Sequence, residues 1–193
     1  WRSGVCSSEF KGVFSDLGGT KNLSLCCSGT RNGNMLEIVG HVDADWGGDI
    51  DSRRSTSGYV FTLFGGALSW MSKRQSVVAL SSTEAEYMAL THGGKEAIWL
   101  RRLCSELGFE QGAVEVRCDN QGAIHLAKNP AFHSRTKHID IQYHFIREKV
   151  EKKEVRLEKV DTVENSSDFL TKAVTGVKFE WYSTAIGLKK NES

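Results

Sequence analysis

The chain has 193 residues, and its 25 basic and 24 acidic side chains give a formal net charge of +1. Its hydrophobic content of 39% and its single proline exclude a disordered chain, a Pro-rich linker and a collagen-like protein. No apolar run approaches the roughly 20 residues that span a bilayer, so we expect a folded domain without a membrane partner.

The start of the chain differs in composition from the rest. It is rich in Gly, Ser and Cys, which predicts a poorly specified N-terminal arm over residues 1–34, with a short strand at 23–27. Hydrophobic patterning becomes regular from Met35, so residues 35–193 are predicted to form one domain. Because Trp1 is neither an initiator methionine nor part of a signal peptide, we expect an internal piece of a longer protein.

Three segments rich in β-formers follow the arm, and the Gly65-Gly66 pair predicts a tight hairpin between the second and the third. The three segments, which we expect to pair as an antiparallel meander, are residues 36–45, 58–64 and 67–72. Apolar residues then recur at helical spacing over residues 81–108, with Ser81 and Glu84 at the spacing of a capping box. Gly93-Gly94 predicts a weakness of about 2 kcal/mol in this helix, or a kink.

The second half alternates between the two kinds of element. We predict strands at 114–119 and 155–160, and helices at 120–128 and 139–152. A last helix is predicted to open at 167–174 and to extend through Phe179, Trp181 and Ile186. The resulting order, βββαβααβα, is that of an α/β domain.

Four carboxylates fall where such a domain would gather its functional groups. Asp43 lies on the first strand and Asp119 ends the fourth, while Glu86 and Asp168 lie in the first turns of predicted helices. The active crevice of an open sheet lies beyond its strand ends, so these side chains can meet there. Each of them taken alone could instead be a turn residue or complement a helix dipole.

A set of carboxylates without accompanying His or Cys ligands suits hard cations such as Mg²⁺ or Mn²⁺. Two such ions can stabilise both the attacking water and the leaving oxygen when a phosphodiester is hydrolysed. The acidic residues therefore indicate metal-dependent chemistry on a phosphodiester.

Several ordered sequence blocks make the chain resemble the ribonuclease H domain of copia-type LTR retrotransposon Pol polyproteins, over about residues 36–175. The blocks are HVDADWGGD (41–49), RRSTSGY (53–59), LSWMSKRQ (68–75), ALSSTEAEY (79–87), KEAIWL (95–100), CDNQ (118–121), RTKHID (135–140) and DFLTK (168–172). This resemblance implies the ribonuclease H-like fold, an α/β fold with helices flanking a five-stranded mixed sheet of three antiparallel strands and then two parallel ones.

The same resemblance implies a function. It is the hydrolysis of the RNA strand of RNA–DNA hybrids by an endoribonuclease with two Mg²⁺ ions, for which Mn²⁺ can substitute. The Asp-Glu-Asp-Asp set of the family falls on Asp43, Glu86, Asp119 and Asp168, the four residues that the spacing also selects. The resemblance further implies a reverse transcriptase domain before this one in the same polyprotein, with residues 1–34 as the connection, and an intracellular location, in a cytoplasmic virus-like particle or the nucleus.

Two of these positions have acidic neighbours that compete for the same role. Asp45 points to the same face of the strand as Asp43 because they are two residues apart. Glu84 and Glu86 diverge by about 200° around the helix, so only one of the two can face the site. We favour Asp43 and Glu86.

Basic residues suggest where a nucleic acid would bind. Arg135, Lys137 and His138 are expected near the strand ends, and Arg54 and Lys73 belong to two further basic clusters. Such groups neutralise phosphates, and a hybrid is recognised by its shape and its 2′-OH groups rather than by its base sequence.

Three departures from related ribonucleases H leave alternatives open, and one of them is Gly93-Gly94 in place of the better helix formers that are usual in this helix. Residues 160–167 lack the histidine that cellular ribonucleases H carry there, and copia-type domains generally lack it too. The basic amphipathic helix that usually precedes the first strand is broken up in this chain. One alternative is a catalytically silent, domesticated or decayed copy that binds nucleic acid or protein. Another is an integrase or transposase core, but those enzymes use an Asp-Asp-Glu order, whereas here the glutamate comes second.

Overall fold

The computed structural model describes residues 21–27, 37–129 and 140–190 of the chain. Its strands are β1 (Leu23–Leu25), β2 (Val39–Ala44), β3 (Thr56–Leu63), β4 (Gly66–Arg74), β5 (Val114–Cys118), β6 (Val155–Lys159) and β7 (Leu188–Lys190). Its α-helices are α1 (Ser82–Glu106), α2 (Gln121–Lys128), α3 (Asp140–Glu151) and α4 (Gly176–Ala185). Within the described ranges, no helix has both the length and the apolar character needed to cross a membrane.

Five strands form one mixed sheet in the order β4-β3-β2-β5-β6. The meander β2-β3-β4 is antiparallel, and β5 and β6 are added parallel to β2 and to each other. The predicted fold class, three antiparallel strands followed by two parallel ones with flanking helices, is therefore confirmed. This topology brings the carboxyl ends of β2 and β5 side by side.

The long helix α1 begins as the capping box predicts. The Ser81 hydroxyl accepts a hydrogen bond from the Glu84 amide at 3.2 Å, and the Glu84 carboxylate accepts one from the Leu80 amide at 2.7 Å. After the helix, Gly108 adopts a φ of 83°, a conformation that glycine enters at little cost.

The two glycines in the middle of α1 serve packing and do not interrupt the helix. Both are buried, and α1 continues through them without a break. A Cβ on Gly93 would overlap Val42 of β2, and one on Gly94 would overlap the terminal methyl of Ile146 on α3. The glycines thus allow α1 to lie close to both the sheet and the neighbouring helix.

The last helix, predicted to open at 167–174 and to extend through Ile186, is present as α4 but does not include residues 167–174. That region contains a short 3₁₀ turn at Asp168–Leu170, and α4 begins only at Gly176. The physical reason is tertiary: the Ser72 hydroxyl donates a 2.6 Å hydrogen bond to the Leu170 carbonyl, which ties the turn to β4. A longer helix would need that carbonyl for its own ladder.

A second sheet, of two strands, was not predicted as such. The strand expected at 23–27 is present as β1, and it pairs antiparallel with β7 at the end of the described chain. Part of the N-terminal arm therefore contacts the C-terminal segment. The boundary predicted between residues 34 and 35 lies outside the described residues and stays a prediction.

Candidate active site

Asp43 lies near the end of β2, where a close approach between backbones is possible. It is in register with Gly58 of β3, which is in register with Ser72 of β4. A Cβ on Gly58 would lie 2.8 Å from Thr171 Cγ2 and 2.9 Å from Leu170 Cβ. Only glycine therefore allows the segment that carries Asp168 to lie against the strand next to Asp43.

This close contact fixes the Asp43 side chain, which is 3% exposed. The Thr171 hydroxyl donates a hydrogen bond to its carboxylate. The pKa of Asp43 is raised to about 6, chiefly by burial and also by the negative charges of Asp119 and Asp168, while the Thr171 hydrogen bond acts in the opposite direction.

Glu86 is in the second turn of α1, one turn later than predicted, and is 6% exposed. Its carboxylate accepts hydrogen bonds from the Ala44 amide and, at 3.8 Å, from the Cys118 thiol. The pKa of Glu86 is raised to about 9, chiefly by burial and also by the negative charges of Asp43 and Asp119. Asp119 directly follows β5, and a carboxylate oxygen of Glu86, one of Asp119 and the Cys118 sulfur lie within 4.8 Å of one another.

Asp168 is the fourth member of this group and is 2% exposed. The Tyr182 hydroxyl on α4 donates a 2.9 Å hydrogen bond to its Oδ2, and the Lys172 ammonium pairs with its Oδ1. The structure therefore brings the four predicted carboxylates into one group. We refer to Asp43, Glu86, Asp119 and Asp168 as the carboxylate cluster.

The competing acidic residues have structural partners elsewhere. The Asp45 carboxylate accepts a hydrogen bond from the Thr56 amide across the loop after β2. Glu84 caps the start of α1. Asp45 and Glu84 thus have structural roles, and the choice of Asp43 and Glu86 as site residues stays a prediction.

The basic residues are described only in part. Lys73 is exposed near the end of β4, and Arg54 is half-buried in the loop before β3. Arg135, Lys137 and His138 lie outside the described residues, so their predicted contacts stay predictions.

Sequence analysis missed three residues that contact the cluster. Thr171 and Lys172 lie three and four residues after Asp168, a spacing that could have suggested them. Tyr182 is fourteen residues after Asp168, on another helix, and no local pattern points to it.

The donor set fits hard divalent cations. The pKa values of Asp43 and Glu86 are raised chiefly by burial and further by the neighbouring carboxylates, so a bound cation would stabilise their charged forms. Burial raises the pKa of the Cys118 thiol well above its usual value, so it remains a neutral donor to Glu86 rather than a thiolate ligand. The oxygen atoms of the cluster are the ligands that Mg²⁺ and Mn²⁺ prefer.

Comparison with known proteins places the chain by sequence. No family model matches it. It is 48% identical over 181 residues to the retrovirus-related Pol polyprotein from transposon TNT 1-94 of Nicotiana tabacum, covering 94% of this chain and 13% of that protein. It is 43% identical over 161 residues to the Pol polyprotein from transposon RE2 of Arabidopsis thaliana, covering 83% and 11%. The chain thus spans about an eighth or less of these curated relatives.

Comparison with solved structures places the fold. The chain is similar to LC11 ribonuclease H1, a protein isolated from compost, with a TM-score of 0.53, 19% identity, and coverage of 71% of this chain and 94% of that one. The same protein has been solved in complex with an RNA/DNA hybrid, with a TM-score of 0.52, 17% identity, and coverage of 70% and 94%. The chain is therefore related by sequence to one segment of copia-type retrotransposon Pol polyproteins, and it has the ribonuclease H fold.

Proposed function

We propose that the chain is the ribonuclease H unit of a retrotransposon Pol polyprotein, an endoribonuclease that hydrolyses the RNA strand of RNA–DNA hybrids during reverse transcription. The observation that carries this proposal is the carboxylate cluster, in which Asp43, Glu86 and Asp168 are buried and Asp119 is half-buried. The solved complex of LC11 ribonuclease H1 with a hybrid supports the choice of substrate.

Asp43, Glu86, Asp119 and Asp168 would hold two Mg²⁺ ions, or Mn²⁺ in their place. Bound there, the ions would supply positive charge for the attacking water and the leaving oxygen of the phosphodiester. The chain's own groups orient these ligands: the Thr171 hydroxyl holds Asp43, and the Ala44 amide holds Glu86. The products would carry 5′-phosphate and 3′-hydroxyl ends.

The proposed substrate and partners follow from the same assignment. Arg54 and Lys73, with Arg135, Lys137 and His138, would contact phosphates of the hybrid. The reverse transcriptase domain of the same polyprotein would be the protein partner, in a cytoplasmic virus-like particle or the nucleus.

The residue assignment can be tested by isosteric substitution. Asp43→Asn, Glu86→Gln, Asp119→Asn and Asp168→Asn should each lower the rate of hybrid cleavage by about a hundredfold or more, because each removes an anionic ligand of the ions that would act on the reacting phosphate. Asp45→Asn and Glu84→Gln are matched controls with rates near wild type, since Asn and Gln still accept the structural hydrogen bonds.

Binding of the hybrid separates chemistry from folding in this series. Cluster variants that bind a labelled hybrid but do not cut it would support the assignment. If a control variant loses as much activity as the cluster variants, the assignment is wrong. If the wild-type protein binds the hybrid without cutting it under any metal condition, the chain is a binding module.

A further inference from the structure

The two ends of the carboxylate cluster are neutralised in different ways. Both oxygens of Asp168 already have partners within the protein, Lys172 at Oδ1 and Tyr182 at Oδ2. At the other end, Glu86 accepts hydrogen bonds from an amide and a thiol, both of which are neutral. At the Asp168 end, the Lys172 ammonium therefore supplies a full positive charge that the Glu86 end lacks.

Lys172 is suited to move. Its side chain is 49% exposed, whereas that of Asp168 is 3% exposed, so the ammonium can return to water while the carboxylate cannot. A lysine ammonium is charged at neutral pH, and that of Lys172 pairs with Asp168 and lies within electrostatic range of Asp43 and Asp119. The ammonium thus remains charged and faces three members of the cluster.

We propose that Lys172 is the resident counter-cation of Asp168, and that a divalent cation gains this carboxylate only by displacing the Lys172 ammonium. The inference rests on the proposed function, because it concerns the ions that the cluster would bind. It predicts two metal sites of unequal affinity. The ion that binds Asp168 has to break the Lys172–Asp168 ion pair, whereas the other ion does not. Lys172 is then a positioning residue that sets the metal concentration at which the cluster is complete.

The test is a titration of the full chain with Mn²⁺ alone, in which isothermal calorimetry measures the affinity of each site. Lys172→Met should raise the affinity of the weaker site by about fivefold, the upper range for an ion pair with one exposed partner. Lys172→Arg should keep the wild-type affinity because it keeps the ion pair. Thermal melting of each variant shows that it is folded.

Two further variants separate displacement from a general change of charge. Lys159→Met removes a nearby ammonium that bonds to the Asp119 carbonyl at 2.6 Å and pairs with no carboxylate of the cluster. It should leave the weaker site unchanged. In an Asp168→Asn background, Lys172→Met should have a much smaller effect on Mn²⁺ affinity, because the pair is already broken and only the attraction of Lys172 to Asp43 and Asp119 is left.

Equal shifts for Lys172→Met and Lys159→Met, or no shift for either, would overturn the inference. These outcomes are independent of the proposed function. A wild-type protein that cuts hybrids while Lys172→Met binds Mn²⁺ as wild type does would refute the role of Lys172 alone. A Lys172→Met protein with raised affinity and a wild-type protein that never cuts would refute the nuclease assignment alone.

Discussion

The side-chain amide of Asn165 donates a 2.9 Å hydrogen bond to the carbonyl of Val42, which lies 123 residues earlier in the chain. Asn165 is fully buried, and its side-chain oxygen accepts a 2.7 Å hydrogen bond from the Ser167 hydroxyl. One residue thereby links the strand that carries Asp43 to the turn that carries Asp168. The spacing of these two carboxylates is set by a side chain that belongs to neither element.

Replacing Asn165 should therefore loosen the cluster as well as the fold. We expect Asn165→Ala to lower the free energy of unfolding by about 1–3 kcal/mol, because the Val42 carbonyl and the Ser167 hydroxyl lose their buried partner. Urea denaturation measures this. Thr162→Ala, an exposed position in the same segment, is the control and should change stability by less than about 0.5 kcal/mol. Equal stability of the two variants would contradict the linking role.

Glu86 should make stability depend on pH in metal-free buffer. Its native pKa of about 9 lies above its ordinary value of 4.5, so the native state binds more protons than the unfolded state between these values. The free energy of unfolding should then fall as pH rises through that window, by about 1.4 kcal/mol for each difference of one in pKa. Melting temperatures of the wild-type protein between pH 6 and pH 9 measure the slope.

Glu86→Gln is the matched variant for this pH dependence. It should flatten the slope between pH 6 and pH 9, leaving the smaller decline at lower pH that comes from Asp43. Added Mg²⁺ should raise the wild-type melting temperature at pH 8 more than that of Glu86→Gln. Parallel curves for the two proteins in metal-free buffer would show that Glu86 is not a carboxyl group with a raised pKa.

The paired glycines of α1 should respond differently to alanine. Gly93→Ala places a methyl group against the β-branched Val42, which has little freedom to move, so overpacking of about 1–3 kcal/mol outweighs a helix gain of about 1 kcal/mol. Gly94→Ala overlaps only the terminal methyl of Ile146, which can rotate away, and its other neighbours lie at ordinary van der Waals distances. We expect the first variant to be destabilised and the second to be neutral or stabilised in urea denaturation. The reverse order would contradict the packing described for this helix.

Lys73 should contribute charge to binding of the hybrid. We expect Lys73→Ala to weaken binding of an RNA–DNA hybrid and to lower the slope of log affinity against log salt by about 1, the effect of one phosphate contact. Lys152→Ala is the control, because Lys152 is exposed and pairs with Glu148 at 2.7 Å. Fluorescence anisotropy at several salt concentrations measures both slopes. Identical slopes for the two variants would remove Lys73 from the proposed interface.

The strands of the main sheet and the start of α1 could be predicted from the sequence because their signals lie in neighbouring residues. Strand composition, the Gly65-Gly66 turn and the capping box at Ser81 depend on neighbours along the chain. The same patterns selected the carboxylates at the ends of β2 and β5, and the structure brings them together.

Features that depend on distant contacts were not predictable in this way. The 3₁₀ turn at Asp168 replaces a helix because Ser72 and Gly58 on other strands hold it. Gly93-Gly94 suggested a weak helix, since the close approach of Val42 and Ile146 cannot be seen in one element. Tyr182 reaches Asp168 only because the chain folds back after the turn.

The proposed function requires the carboxylate cluster, with bound divalent cations, to cut the RNA strand of a hybrid. The most direct measurement is cleavage of a labelled RNA–DNA hybrid by the wild-type chain in Mg²⁺ or Mn²⁺, beside single-stranded RNA, duplex DNA and an Asp119→Asn control. The proposed function predicts metal-dependent cutting of the RNA strand of the hybrid alone, with 5′-phosphate ends, and loss of this cutting in Asp119→Asn. Cutting that persists in Asp119→Asn or without divalent metal, or no cutting by a folded protein that binds the hybrid, would contradict it.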